Sequence, residues 1–235
     1  LGCGGDGRLG TEGRGGGRCR EARQAWVGAE GGGDVGAWGR RDSWYLEAGA
    51  GARGRGVGLG GGRVRHELDA ELCGDGARLD TRGVFLPQGR QHLDTHLDIR
   101  HVATNTASDA LWRGVADQRG RGVFHGQIIV ATGADGTDAA LSNKNLLLSP
   151  HAEIDTQPVL EIYADEVLAA HGATVGQLDE QALFYLRSRG LPADEARRVL
   201  TVAFCNAALD SLPNEALRDH CRERLVGRLP GGAAA

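Results

Sequence analysis

Histidines and the carboxylates near them carry most of the chemistry this sequence could perform. His171 stands in HGATVG, flanked by the small residues Ala169, Ala170, Gly172 and Ala173, which leave room for another chain to come close. A neutral imidazole there can offer a ring lone pair as a ligand, or it can serve as a structural hydrogen-bonding group. The stretch HLDTHLD puts His92, Asp94, His96 and Asp98 on one face of one strand. Neighbours on that face are about 7 Å apart, too far to chelate one ion without a second strand. His92, Asp94 and His96 are therefore a candidate metal set, and a solvated charged face is the alternative. Asp98 and His101, with Asp94, Glu153 and Asp155, could form the acid–base pair of a β-helix polysaccharide hydrolase. Such an enzyme needs aromatic platforms for sugar, and residues 63–176 hold only Phe85, Trp112, Phe124 and Tyr163. No P-loop, GxSxG or HExxH occurs. The five cysteines form no CxxC pair, and Cys205 and Cys221 fall among apolar residues of helical pattern, where a thiol acts as a small hydrophobe.

The elements that must position these residues follow from periodicity. Val64, His66, Leu68, Ala70 and Leu72 alternate with charged residues, the period of a half-buried strand. CGDGA turns the chain, and further strands are predicted over 78–86, 91–102, 111–115, 122–130, 140–148, 154–164 and 169–175. No helix-length apolar pattern interrupts them, so the body is mainly β, as a sandwich, jelly roll or β-solenoid. Beyond Gly176 the period becomes 3.6. Asp179 is an N-cap for a helix over 180–188, Gly190 follows its end, and further helices are predicted over 193–212 and after Pro213. These helices are expected to cap the end of the solenoid.

Composition divides the chain. Of its 39 glycines, 23 lie in residues 1–62, together with three of the four tryptophans. Residues 1–58 are expected to be disordered, with at most a short helix over 21–27, or to be translated from a wrong frame. The chain lacks methionine and has one lysine against 26 arginines, which points to a fragment or a mis-called start. Residues 1–62 carry 9 basic and 7 acidic groups and the rest 18 and 24, so the body is net acidic and a poor nucleic-acid binder. An odd number of cysteines with no CxxC pair and the lack of an 18-residue apolar run lead to the expectation of a cytoplasmic protein.

The motifs GRQHLDTH, NKNLLLS, AEIDTQP, LEIYADEV, HGATVG and LFYLRSRG resemble the SufD branch of the SufB/SufD scaffold family of iron–sulfur cluster assembly. The resemblance implies a right-handed parallel β-helix (β-solenoid) core over residues 59–176 and a C-terminal α-helical domain over 177–235. It implies a non-catalytic scaffold that pairs with SufB, engages the SufC ATPase through its C-terminal helices, and holds no permanent cofactor. His171 matches the family's histidine at the SufB contact, where iron or a cluster is held transiently and shared with SufB. Many relatives carry cysteine two residues earlier; here that place is Ala169, so sulfur ligands would come from the partner. Arg197, Arg198, Glu215 and Arg218 are candidates for the SufC contact. A β-helix polysaccharide hydrolase and a purely structural β-solenoid are the competing functions.

Overall fold

The computed structural model describes residues 19–28, 37–210, 212 and 215–229. Strands β1 (Cys19–Gly28), β2 (Ala37–Leu46), β3 (Gly51–Gly58), β4 (Arg63–Leu72), β5 (Arg78–Phe85), β6 (His92–His101), β7 (Ala107–Ala116), β8 (Arg121–Val130), β9 (Thr137–Leu147), β10 (Glu153–Ile162) and β11 (Val167–Gly176) precede three helices. The helices are α1 (Glu180–Ser188), α2 (Ala193–Leu209) and α3 (Glu215–Arg228). Strict alternation makes β6 a strand: Leu93, Thr95, Leu97, Ile99 and His101 are buried, while the residues between them face outward.

From β2 onward, successive strands fall in different sheets. One sheet runs β1-β2-β4-β6-β8-β10 and the other β11-β9-β7-β5-β3. Apart from the antiparallel β1–β2 pair, the pairings are parallel, which makes a β-solenoid with one strand per sheet in each rung. Arg63, His92 and Arg121 share one column, 29 residues apart, so like positions stack at about 4.8 Å intervals. One turn repeats at the same corner. Gly49, Gly76, Asn105 and Gly136 have φ of 66°, 71°, 54° and 74°. Each donates its N–H to the turn of the next rung, at Asp75 O, Thr104 O, Asp135 O and Glu166 O.

The sheets close on an apolar lumen that includes Trp44, Leu68, Phe85, Leu97, Ile99, Trp112, Phe124 and Ile128. Two tryptophans take the volume that side chains would otherwise fill, Trp112 at its register partner Gly83 on the neighbouring rung and Trp44 at Gly54 in the other sheet. A Cβ on Gly83 would lie 2.3 Å from the Trp112 ring, and one on Gly54 2.8 Å from Trp44. Phe85 and Phe124 stack with ring centroids 6.4 Å apart.

Asp179 caps α1 by accepting from Gln181 N at 2.8 Å, and Gly190 follows the helix at φ +94°. The helices do not cap the solenoid end as the sequence predicts. Cys205, Ala208 and Leu209 of α2, with Cys221 and Leu225 of α3, pack instead on Val84, Leu86, Val115 and Leu146, on the outer side of the second sheet. Those four apolar residues would otherwise face water, and the helices bury them.

The sequence also predicts disorder over 1–58, and the structure differs for part of it. β2 and β3 lie before residue 59 and pair in register with β4 and β5 as part of the solenoid. Residues 21–27, expected as a short helix, belong to β1, which pairs with the edge of β2. Strand pairing here overrides local propensity. Residues 1–18 and 29–36 lie outside the described residues.

Candidate functional site

The last rung organises the site. β10 and β11 end their sheets, so among the described residues nothing pairs with their outer edges. Whereas core side chains are nearly inaccessible, Ile162 is 42% exposed, Tyr163 60%, Leu168 72% and Val175 43%. A shallow recess of about 420 Å³ opens at this edge, its lining including Phe124, Ile154, Thr156 and Val175; His171 does not line it.

Register places His171. It pairs with Leu141, as Ala169 pairs with Ala139 and Ala173 with Asn143. Ala139, Leu141, Asn143 and Asn145 are all buried and face the lumen. His171 therefore continues a lumen-facing column on a rung with no further strand above it, and it is exposed. The Thr156 hydroxyl of β10 donates to Asn143 Oδ1 at 2.8 Å, joining the two sheets just below this mouth.

The last rung contains no cysteine. Ala169 occupies the lumen-facing place two residues before His171. Cys73 is exposed at the turn after β4, and Cys205 and Cys221 are buried under the helical layer. Burial pushes the Cys205 thiol up to about 12, so it is protonated and inert at neutral pH.

His92, Asp94 and His96 do not converge on an ion. They lie along the outer face of β6, where Asp94 Oδ2 accepts from Arg65 Nη1 at 2.9 Å and Asp94 Oδ1 lies 2.8 Å from His96 Nε2. His96 stacks on His125, with centroids 5.3 Å apart, and His92 lies in register between Arg63 and Arg121. Among the described residues no three His, Cys, Asp or Glu side chains group as a metal ion requires. The physical reason is the two-residue strand period, with the carboxylate already satisfied by arginine.

The acid–base pair also comes apart. Asp98 faces outward, while His101 is buried in the lumen, with Nδ1 2.8 Å from Thr106 Oγ1 and Nε2 2.9 Å from Ser108 Oγ. Burial lowers its pKa to about 4. Asp155 is paired with Arg121 at 2.8 Å. These residues provide no hydrolase site.

Of the helical candidates, Arg197 and Glu215 are exposed and Arg198 is half-buried. Arg218 donates from Nη2 to Leu212 O at 3.0 Å and so closes the α2–α3 connection. Sequence reasoning did not single out Phe184 and Tyr185, which stand 74% and 57% exposed on α1. Their signal was available: a short helix with five consecutive apolar or aromatic residues, Ala182 to Leu186, had to leave some outside, and Leu183 alone of α1 is fully buried.

The family model described as "SUF system FeS cluster assembly, SufBD core domain" matches residues 41–204. The chain belongs to the SufBD family. The match spans the solenoid from β2 to β11 and continues through α1 into α2. Iron–sulfur cluster assembly protein SufD of Escherichia coli is 39% identical over 175 residues, 74% of this chain and 41% of that protein. An iron–sulfur cluster assembly SufBD family protein of Synechocystis is 36% identical over 71% of this chain and 37% of its own length. Protein ABCI7, chloroplastic, of Arabidopsis thaliana is 33% identical over 74% and 37%. The chain thus spans about two fifths of the length of these curated relatives. Among the described residues no helix is long and apolar enough to cross a membrane.

Proposed function

We propose that this chain acts as a SufD-type, non-catalytic scaffold in iron–sulfur cluster assembly in the cytoplasm. It pairs with a SufB-type solenoid at its open last rung and receives a SufC-type ATPase on its helical layer. One observation carries the proposal: His171 occupies a lumen-facing place on a terminal rung whose two strand edges pair with nothing among the described residues. Unpaired edges recruit strands, and the exposed Ile162, Tyr163, Leu168 and Val175 supply apolar area for the same contact. The incoming rung then brings its side chains over the imidazole.

The chemistry follows from the donor set. Iron and sulfide are cargo here. This chain supplies a ring nitrogen at His171, and with alanine at 169 the thiolate ligands come from the partner. On α1, Phe184 presents an aromatic surface for the ATPase beside Tyr185, over which the Arg189 guanidinium sits at 5.2 Å.

The test replaces His171 by alanine and by glutamine in the complex with SufB- and SufC-type partners. Both variants are expected to leave the subunit ratio unchanged and to lose bound iron and sulfide, because glutamine replaces a hydrogen bond but not a ring lone pair. A normal iron and sulfide load in complexes of normal composition would make the chain a structural solenoid at this position.

A further inference from the structure

Beneath the open rung the lumen holds two buried carboxamides on β9, Asn143 and Asn145, exposed by 0% and 2%. Asn145 Nδ2 uses both of its protons: one goes to Asn143 Oδ1, the other to the backbone oxygen of Thr174 on β11, at 3.0 Å. The Thr156 hydroxyl on β10 meets the same Asn143 oxygen. One pair of asparagines thus ties together β9, β10 and the terminal strand. The floor of the lumen is open for this group, since a Cβ on Gly114 would lie 2.3 Å from Asn145 Oδ1.

β11 has few other attachments. Its lumen-facing places include Ala169 and Ala173, which bury little area, and most of the strand is exposed. Among the described residues its ladder partner is β9 alone. Thr174, where Asn145 takes hold, lies three residues after His171.

We propose that Asn145 is a positioning residue that clamps β11 to the solenoid from inside the lumen and so fixes the His171 imidazole at the mouth. The clamp rests on hydrogen bonds within this chain; its use in metal binding rests on the function proposed above for His171. A residue that only fills volume could be replaced by leucine of similar size, whereas a clamp needs the two N–H donors.

The experiment compares the full-length chain with its Asn145→Leu variant by amide hydrogen exchange and by titration with Co²⁺, whose visible absorption reports imidazole ligation. Loss of a hydrogen bond of ordinary strength should speed exchange in β11 roughly fivefold, with β4 and β6 unchanged. Co²⁺ affinity should fall while a His171-dependent band persists in the parent chain. Unchanged exchange in β11, or a rise spread evenly over the solenoid, overturns the clamp. Faster β11 exchange with parental Co²⁺ affinity overturns the positioning role. If the parent chain shows no band that His171→Ala removes, faster β11 exchange upholds the clamp while the metal role of His171 fails.

Discussion

Lowering the pH from 7 toward 4 loads a proton onto His101 far more readily when the solenoid opens than while it stays folded. In the folded chain both ring nitrogens are engaged inside the lumen. Thr137 gives its proton to Ala134 O at 2.7 Å, so Thr106 turns its own toward Thr137 or Ala103 O and accepts from Nδ1–H. Nε2 then accepts from Ser108. A second ring proton would break this chain of donors and put an unpaired charge in the core. Burial accordingly lowers the pKa from 6.5 to about 4. The sign follows: between these values the unfolded state binds the proton and the folded state does not, so stability falls as pH falls from 6.5 toward 4. The span is about 2.5 pH units, and at about 1.4 kcal/mol per unit this amounts to roughly 3 kcal/mol. Urea unfolding at several pH values, on the parent chain and on His101→Gln, isolates this part, because other titrating groups contribute alike to both proteins. The variant should be less stable at pH 7 but should lose roughly 3 kcal/mol less between pH 7 and 4. Parallel loss in the two proteins would refute the buried neutral imidazole.

Two further perturbations test the packing and the helical face. Gly83→Ala drives a methyl into the Trp112 ring and should cost about 1 to 3 kcal/mol in chemical unfolding, with part of the loss recovered when Trp112→Leu is added. If the alanine is tolerated, the tryptophan does not fill that space. Phe184→Ser removes an exposed aromatic ring, so thermal stability should stay within about 0.5 kcal/mol, while affinity for a SufC-type ATPase, read by calorimetry, drops about tenfold or more; unchanged affinity would move the contact elsewhere on the helical layer.

The parts of the fold legible in the sequence are those where one face alone is buried. Between 63 and 72 strict alternation sets strand β4 at both ends, and Asp179 with Gly190 brackets α1. Residues 37–58 were opaque because glycine reads as lost conformational entropy. In the solenoid Gly54 of β3 instead supplies volume for Trp44 of β2, which makes the packing of a glycine-rich strand across the lumen from a tryptophan-bearing one favourable. The place of the helices was also encoded, though not as a period. The burial of β5 and β7 alternates at first and then becomes continuous through Val84 and Val115, which marks strand ends covered on both faces.

His171 was singled out as a candidate by its small neighbours and by the HGATVG resemblance, whereas its geometry depends on what the sequence does not order locally. The same imidazole one position earlier or later in β11 would point away from the lumen, because neighbouring strand residues face opposite sides. What holds the register is the ladder to β9 and, from below, the carboxamide of Asn145. The asparagines of SNKN alternate at the lumen-facing parity of β9, so two polar residues stand where the pattern calls for apolar ones. Buried polar groups need partners, and here Asn145 Nδ2 and Asn143 Oδ1 find them in each other, Thr156 and the backbone of the terminal strand, while Asn143 Nδ2 and Asn145 Oδ1 have none among the described residues. A polar pair in an otherwise apolar column thus marks the rung where the solenoid is fastened and where a partner is to be received.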